Sequence, residues 1–524
     1  MLSINENCSS NEKPLFLLKT LCNTSYLNIC HLNAQSLVKK MDEFKYLFEK
    51  TNMHIICVSE TWFSDEIPDE MFKLNGFRLF RADRKTHAGG VCMYINNQID
   101  CKVLKKSSID SPIEYIFIEL NLNLTKILIA SFYRPNNTID FSPILTQLEF
   151  LTLNYNEIII TGDFNSNIFN DVRLDESMIS LGLNLVNRSN PTHFTKTNST
   201  LLDLFYVNQI SKVLSYDQVS LSGFSKHDLI FLRYNIEVKI TPEVFQYRNF
   251  KNIDCDSLLF DFNNIDWNSI FLMISIDDQV NFLQKNIEIL FEKHVPLKTK
   301  FLKKYNQPWF NSELHQLIAK REKAYVKWKR FKTDFHYEIF KKCRTAVKKS
   351  TKILKRNYYE KKFENVVSSK QKWNIVKELG IGKKKSGCFN HVDVDDLNNK
   401  FLDIPIPIVS SNSYETMSSG LSNEIEFSFQ NIDEGDVLKS ILSIKSLSTG
   451  SDRLNPLFLK LLLPKLLPHI TFIINVILTK SVFPTLWKKA KIIPLPKSPN
   501  EFRPIAILPY LSKVLEKIME NQIR

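Results

Sequence analysis

A chain of 524 residues with 44% hydrophobic side chains is too long for one core and too apolar for a disordered polyelectrolyte, so it divides into roughly three or four folded domains. Its formal charge of +13 makes a polyanion the default partner, and the excess is local: residues 298–385 hold 27 Lys or Arg against 7 Asp or Glu, leaving the rest of the chain at −7. Nine cysteines without a CxxC pair, and an N-terminus with no basic start before a long apolar run, argue against a disulfide framework and a secretory signal; an intracellular protein is expected.

Residues 1–26 read as a tail. Over 27–238 short strands outnumber helices: LNICHLN, a helical SLVKKMDEFKYLFEK, then HIICVSET, GGVCMYI, YIFIEL, KILIASFY and EIIITGD. So many consecutive strands fit one doubly wound parallel sheet poorly and fit an α/β arrangement of two packed mixed sheets flanked by helices. The unbroken Ile158–Ile160 marks a strand buried on both faces. Asp163 and Asn165, which follow it in IIITGDFN, are then held at the rim of a packed core, with Gly162 read as a sharp turn. An Asx turn capping the strand is the alternative.

Residues 239–297 read as a helical connector and 298–385 as a basic helical segment. Asn311 or Ser312 can cap a helix whose apolar face carries Leu314, Leu317, Tyr325, Trp328, Phe331 and Phe335, with Lys and Arg filling the other faces. Such a segment is either a pair of solvated helices packed on a neighbour or an electrostatic surface for nucleic acid, and its charge favours the second. Residues 386–424 resemble a linker. Residues 425–524 are compact and apolar, and their most apolar stretch, Leu461–Leu478, is read as broken by Pro464, Lys465, Pro468 and His469, a poor membrane span.

The polar residues at strand ends in 27–238 come in a definite order: Asn33 in HLNAQSL, Glu60 in VSETW, Tyr133 in SFYRP, Asp163 and Asn165 in GDFN, Asp203 in STLLDLFYV, and His227 in GFSKHDLI. Singly each has a structural explanation. Together, over residues 27–235, they resemble the endonuclease/exonuclease/phosphatase superfamily, which includes apurinic endonucleases and the endonuclease domain of non-LTR retrotransposons. The resemblance implies a four-layer α/β sandwich and metal-dependent phosphodiester hydrolysis with Mg²⁺, Mn²⁺ being the alternative ion. Glu60 with Asn33 is the implied metal site. Asp163 would orient or deprotonate the attacking water and Asn165 would position it. His227, paired with Asp203, would contact the scissile phosphate, and Tyr133 would hydrogen-bond a phosphate oxygen or assist the leaving group. Arg134 and Thr192 are further expected phosphate contacts, and Lys226, which departs from the family pattern, is expected to contact phosphate in place of the family's acid. Two departures stand out: Lys226 occupies the position before the histidine where many relatives carry Asp, the acid falling after it at Asp228, and Gln35 stands where some apurinic endonucleases have an acid.

The C-terminal blocks IKSLSTGSDRLNPLFLKLL, FPTLWKKAKIIPLPK and EFRPIAILPYLSKVLEKIMENQIR look like the opening of a non-LTR reverse transcriptase, a partial α+β fingers region over 425–524. Lys491 and Arg503 match positions that handle nucleotide and template in that family. The palm carboxylates of such a polymerase include a Tyr-x-Asp-Asp block, and no such tetrapeptide occurs up to Arg524, so no DNA synthesis is expected of these residues and a truncated element, partial gene model or domesticated remnant is inferred. The expected function is single-strand nicking of target DNA for target-primed reverse transcription, by an element of the jockey or CR1 kind. Element RNA is a second expected partner, through 298–385, with no membrane and no small-molecule ligand. Nuclear localisation follows from the DNA substrate. A nucleic-acid-binding remnant without catalysis, and a phosphatase of the same superfamily, are the competing readings.

Overall fold

The computed structural model describes residues 25–49, 51–85, 88–136, 138–241, 244–301, 307–381, 393–403, 427–498 and 501–524. Residues 1–24 of the expected tail, and 386–392 and 404–424 of the expected linker, lie outside the described residues; Val394–Leu402, within that linker, is helical. The described chain forms two compact units, one built from 25–241 with 307–381, the other from 244–301 with 393–403 and 427–524.

The first unit contains fourteen strands among the described residues: β1 (Tyr26–Asn33), β2 (Ile55–Ser59), β3 (Phe77–Ala82), β4 (Val91–Asn96), β5 (Asp100–Lys106), β6 (Glu114–Leu122), β7 (Thr125–Tyr133), β8 (Glu157–Asp163), β9 (Asn184–Leu185), β10 (His193–Phe194), β11 (Ser199–Thr200), β12 (Asp203–Val207), β13 (Val213–Val219) and β14 (Leu229–Glu237). They form two six-stranded sheets, β13-β14-β1-β2-β4-β3 and β5-β6-β7-β8-β12-β9, and a small β10-β11 hairpin. In each large sheet one pair at the centre is parallel, β1 with β2 and β7 with β8, and the other pairs are antiparallel.

Strand side chains alternate between faces, and here both faces are apolar. In β8, Ile159 enters the core between the sheets with Ile29, Ile55, Ile116, Ile129 and Ile230, while Ile158 and Ile160 point the other way. There they meet Ile144 and Leu148 of α2 (Ser142–Thr152) and Met178 of α3 (Arg173–Ser180). On the far face of the other sheet, Leu32, Val58, Tyr94 and Phe231 pack against Phe44 and Phe48 of α1 (Met41–Phe48). The result is helix, sheet, sheet, helix: mixed sheets packed as in the endonuclease/exonuclease/phosphatase fold.

The basic stretch contributes two long helices to this unit, α4 (Ser312–Phe331) and α5 (Asp334–Glu364), which pack as an antiparallel hairpin. Asn311, not Ser312, is the cap: its Oδ1 accepts from Leu314 N at 2.9 Å. Leu314, Tyr325 and Trp328 are buried and Leu317 is half-buried, whereas Phe331 and Phe335 are exposed, contrary to the single face expected. The helix ends at Phe331, where Lys332 turns left-handed (φ 51°), so Phe335 falls in the next helix and outside this periodicity.

In the second unit, Leu283, Ile287 and Phe291 of helix Ile276–His294 share a core with Phe458, Leu459 and Leu462 of helix Pro456–Lys480 and Val514 and Leu515 of helix Tyr510–Ile523. Pro464 and Pro468 do not break the apolar stretch; the helix runs through both, each removing an amide donor without interrupting the rod. Pro456–Lys480 is long and apolar enough to cross a membrane, but 56% of its most apolar window is buried inside the protein, as a core helix would be.

Candidate active site

Strand direction gathers the polar residues at one rim. The parallel pairs end there with Asn33 beside Ser59 and Tyr133 beside Asp163. The antiparallel strands begin there: Asp203 pairs with Asp163, Glu114 with Tyr133, and His227 stands two residues before β14.

Asn33 links the two sheets. Its Nδ2 donates to Glu60 Oε1 at 2.8 Å and to Asp163 Oδ2 at 2.7 Å, and its Oδ1 accepts from Gln35 N at 3.0 Å. Asp163 Oδ1 accepts from Asn165 N at 3.0 Å, and Asn165 Nδ2 donates to Arg134 O at 2.7 Å. His227 Nδ1 donates to Asp203 Oδ2 at 2.8 Å and lies 4.0 Å from Asp163 Oδ2; Asp203 Oδ1 lies 3.5 Å from His31 Nδ1. Burial, and next the charges of Glu60 and Asp163, push the Tyr133 phenol well above its ordinary range. Asn33, Asp163, Asp203 and His227 are buried, with Glu60 and Asn165 half-buried.

The backbone is strained here. Glu60 (φ 48°) and Asn165 (φ 47°) both adopt the left-handed region, which costs about 1–3 kcal/mol per residue and persists only where the surroundings hold it. Gly162 is not a turn: it lies within β8, paired with Phe132 and Leu204, and a Cβ on it would sit 2.3 Å from Phe132 O. The close approach of β7, not a change of direction, demands glycine.

Four carboxylates crowd the rim, and their protonation shows it. Burial, and next the like charge of Asp203, push Asp163 well above the usual carboxylate range. Burial also pushes Asp203 up, but His227 outweighs it and holds the group low. Burial alone would lower His227; the charge and hydrogen bond of Asp203, then Asp163 and Glu60, raise it to about 9. His31 and His193 fall to about 4, chiefly through burial.

Glu114 escaped the sequence reading, as did His31 and His193, whose ring centroid lies 4.4 Å from that of His227. Burial raises Glu114 to about 7, with Arg84 opposing. Arg84 Nε is 3.1 Å from Glu114 Oε1, yet neither carboxylate oxygen has a hydrogen bond, and Asp203 Oδ1 also lacks one. The signals available were the acid directly before YIFIEL and a histidine inside the apolar LNICHLN.

Such unsatisfied buried oxygens, with Glu60 beside them, suit a hard divalent cation. Asp163, Asp203 and His227 also form a candidate metal group, one ligand atom from each lying within 4.8 Å of the others. The hydrogen bond between Asp203 and His227 already occupies part of that group.

The other expected contacts lie apart from this centre. Thr192 is fully buried and its Oγ1 accepts from Leu202 N and Asp203 N, so it fixes the Asp203 loop and does not face a phosphate. Arg134 is buried, with Nε donating to Ile139 O at 2.8 Å. Lys226 is exposed. Asp228 turns away from the centre, accepting from Gln218 Nε2, Ser220 Oγ and Lys329 Nζ. Lys491 and Arg503 are exposed on a two-stranded hairpin (Lys491–Ser498 with Glu501–Ile507) of the second unit.

Residues 25–226 match the family model described as Endonuclease/Exonuclease/phosphatase family. The first unit carries an endonuclease/exonuclease/phosphatase domain. Among solved structures, the endonuclease domain of TRAS1, a telomere-specific non-LTR retrotransposon, is similar at 13% identity and TM-score 0.33, covering 40% of this chain and 99% of that one. The 3′ phosphatase NExo from Neisseria bound to a product DNA hairpin gives 13% and 0.34, with 40% and 99% covered. An AP endonuclease from Archaeoglobus fulgidus gives 13% and 0.32, with 40% and 100% covered. None of the curated proteins compared with the chain matches it.

Proposed function

We propose that the endonuclease/exonuclease/phosphatase domain is a Mg²⁺-dependent DNA endonuclease that nicks one strand and leaves a 3′-hydroxyl, Mn²⁺ being the alternative ion. The observation that carries this reading is the buried constellation in which Asn33 ties Glu60 to Asp163 while Asp203 holds His227.

Hydrolysis forms a bond from a water oxygen to phosphorus and breaks the bond from phosphorus to O3′. Asp163, with its raised proton affinity, takes the water's proton near neutrality. Asn165, fixed by its bonds to Asp163 and the Arg134 carbonyl, positions that water. His227, held protonated below about pH 9, offers Nε2–H to a non-bridging oxygen, and Tyr133 donates to the departing O3′, which then takes a proton from solvent. Glu60 and Glu114, with Asn33 alongside, are the residues that would hold the cation, which would neutralise charge gathering on the phosphate.

The C-terminal resemblance supports placing this nuclease in a non-LTR retrotransposon of the jockey or CR1 kind, its nick priming reverse transcription on nuclear DNA. The test is relaxation of supercoiled plasmid by the full chain with Mg²⁺, with Mg²⁺ replaced by EDTA, and as Asp163→Asn. Nicking by the parent alone supports the reading. A folded parent that nicks nothing returns the chain to a nucleic-acid-binding remnant, and phosphate release from a 3′-phosphorylated oligonucleotide without nicking makes it a phosphatase.

A further inference from the structure

The α4–α5 hairpin spends its cations in two ways. One set docks it on the domain. Buried Arg321 reaches Glu43 and Ser222, Lys329 Nζ lies 2.6 Å from Asp228 Oδ2, and Lys355 Nζ lies 2.8 Å from Asp42 Oδ1. The other set surrounds a pocket of about 330 Å³ between hairpin and domain. Lys40, Lys226, Arg344 and Lys348 line it, and among the described residues none of the four forms an ion pair.

The polar groups of this pocket suit an anion. Lys40 Nζ has only the carbonyls of Ala34, Gln35 and Phe224 as partners, with Lys348 and Arg344 nearby. Burial first, and then those two like charges, push it down to about 8, against the opposing charges of Glu43 and Glu60. Tyr325 and Trp328, which line the same pocket and are about 97% buried, keep the phenol oxygen and the indole nitrogen without a hydrogen bond. Lys196, which also lines the pocket, pairs with Asp334, and Glu43 already serves Arg321, which leaves Lys40, Lys226, Arg344 and Lys348 without a carboxylate in contact.

The pocket also adjoins the reacting centre through the chain itself. Gln35 and Lys226 both line it, and their Cα atoms lie within about 8 Å and about 4 Å of those of Asn33 and His227, two residues and one residue away along the chain. Lys226 N donates to Gln35 Oε1 at 3.3 Å, tying these two segments together.

We propose that this pocket binds a backbone phosphate of the DNA strand being cut, beside the scissile one, so that the helical hairpin completes the substrate surface of the nuclease. The proposal rests on the nuclease reading above. It assigns to Arg344 and Lys348, outside the domain's own 25–226, a contact with substrate.

The test is duplex DNA binding by the full chain, followed by fluorescence anisotropy in EDTA across a salt series. Arg344→Gln/Lys348→Gln is compared with Lys342→Gln/Lys349→Gln, which removes the same charge from exposed positions of α5 outside the pocket. The pocket pair should weaken binding at least tenfold and lower the slope of log affinity against log salt by about one, as loss of one phosphate contact requires, the control pair far less. Arg344→Lys/Lys348→Arg, which keeps both charges, should bind as the parent does. Equal losses from the two Gln pairs, no loss from the pocket pair, or an equal loss from the charge-preserving exchange would each overturn the proposal. A parent that binds through the pocket but nicks nothing in Mg²⁺ sinks the nuclease reading alone; a nicking parent indifferent to the pocket pair sinks this inference alone.

Discussion

His227 and Asp203 are joined by a 2.8 Å hydrogen bond between two buried side chains, and that bond sets both the tautomer and the charge of the imidazole. Asp203→Asn keeps the size of the side chain but removes the charge that overcomes the burial penalty on His227. The ring should then be neutral at pH 7 and oriented less firmly. Single-turnover nicking should fall by on the order of 10²–10⁴, with DNA affinity nearly unchanged. A variant that nicks at the parental rate would show that the pair only packs.

Asn33 spends both amide hydrogens on acids, at 2.8 Å to Glu60 and 2.7 Å to Asp163. Asn33→Asp is nearly isosteric yet sets a fifth carboxylate against Glu60, Glu114, Asp163 and Asp203. Without divalent cation the first unit should melt at a lower temperature than the parent, and added Mg²⁺ should recover more stability in the variant than in the parent. Thermal melts with and without the ion check this; an unchanged melting temperature in EDTA would mean that the carboxylates protonate rather than repel.

Much of the site was readable because parallel strands end on it. LNICHLN, HIICVSET, KILIASFY and EIIITGD each carry their polar residue at or just past the C-terminal end of an apolar run, a pattern visible along the chain. Glu114 was not readable that way: β6 is antiparallel, so it enters the rim rather than leaving it, and an acid before a strand looks like any loop residue. The docking of the hairpin was hidden for a different reason. Arg321 and Glu43 are 278 residues apart, and nothing in local periodicity distinguishes a cation that will be buried against a distant acid from one left in water. The proline-containing helix shows the limit of local rules from the other side, since tertiary packing around Pro456–Lys480 overrides two breakers.

Gly162 offers a sharp test of the packing between β7 and β8. In Gly162→Ala the new methyl would lie 2.3 Å from Phe132 O, and because the obstacle is backbone within a sheet, it cannot move aside cheaply. Asp163, the next residue, would shift with it. The variant should lose stability on the order of 3 kcal/mol or more and, where folded, most of its nicking. Denaturant unfolding followed by circular dichroism measures the first; a parental midpoint would show that the strands can separate without cost.

Acid should destabilise the first unit through His54, away from the reacting centre. Its Nδ1 accepts from Asn28 N at 2.9 Å, which requires the lone pair, and burial lowers its pKa to about 4. Unfolded, it titrates near its ordinary value of 6.5. Above that pH both states are neutral and nothing changes. Between about 6.5 and 4 the unfolded chain binds a proton that the folded one refuses, so stability falls as pH falls, by on the order of 3 kcal/mol over the whole window and roughly 2 by pH 5. In His54→Asn the amide oxygen can take the Asn28 hydrogen bond without titrating. Comparing urea unfolding at pH 7.5 and pH 5, the parent should lose about 2 kcal/mol more than this variant, and identical losses would place the acid sensitivity in other groups.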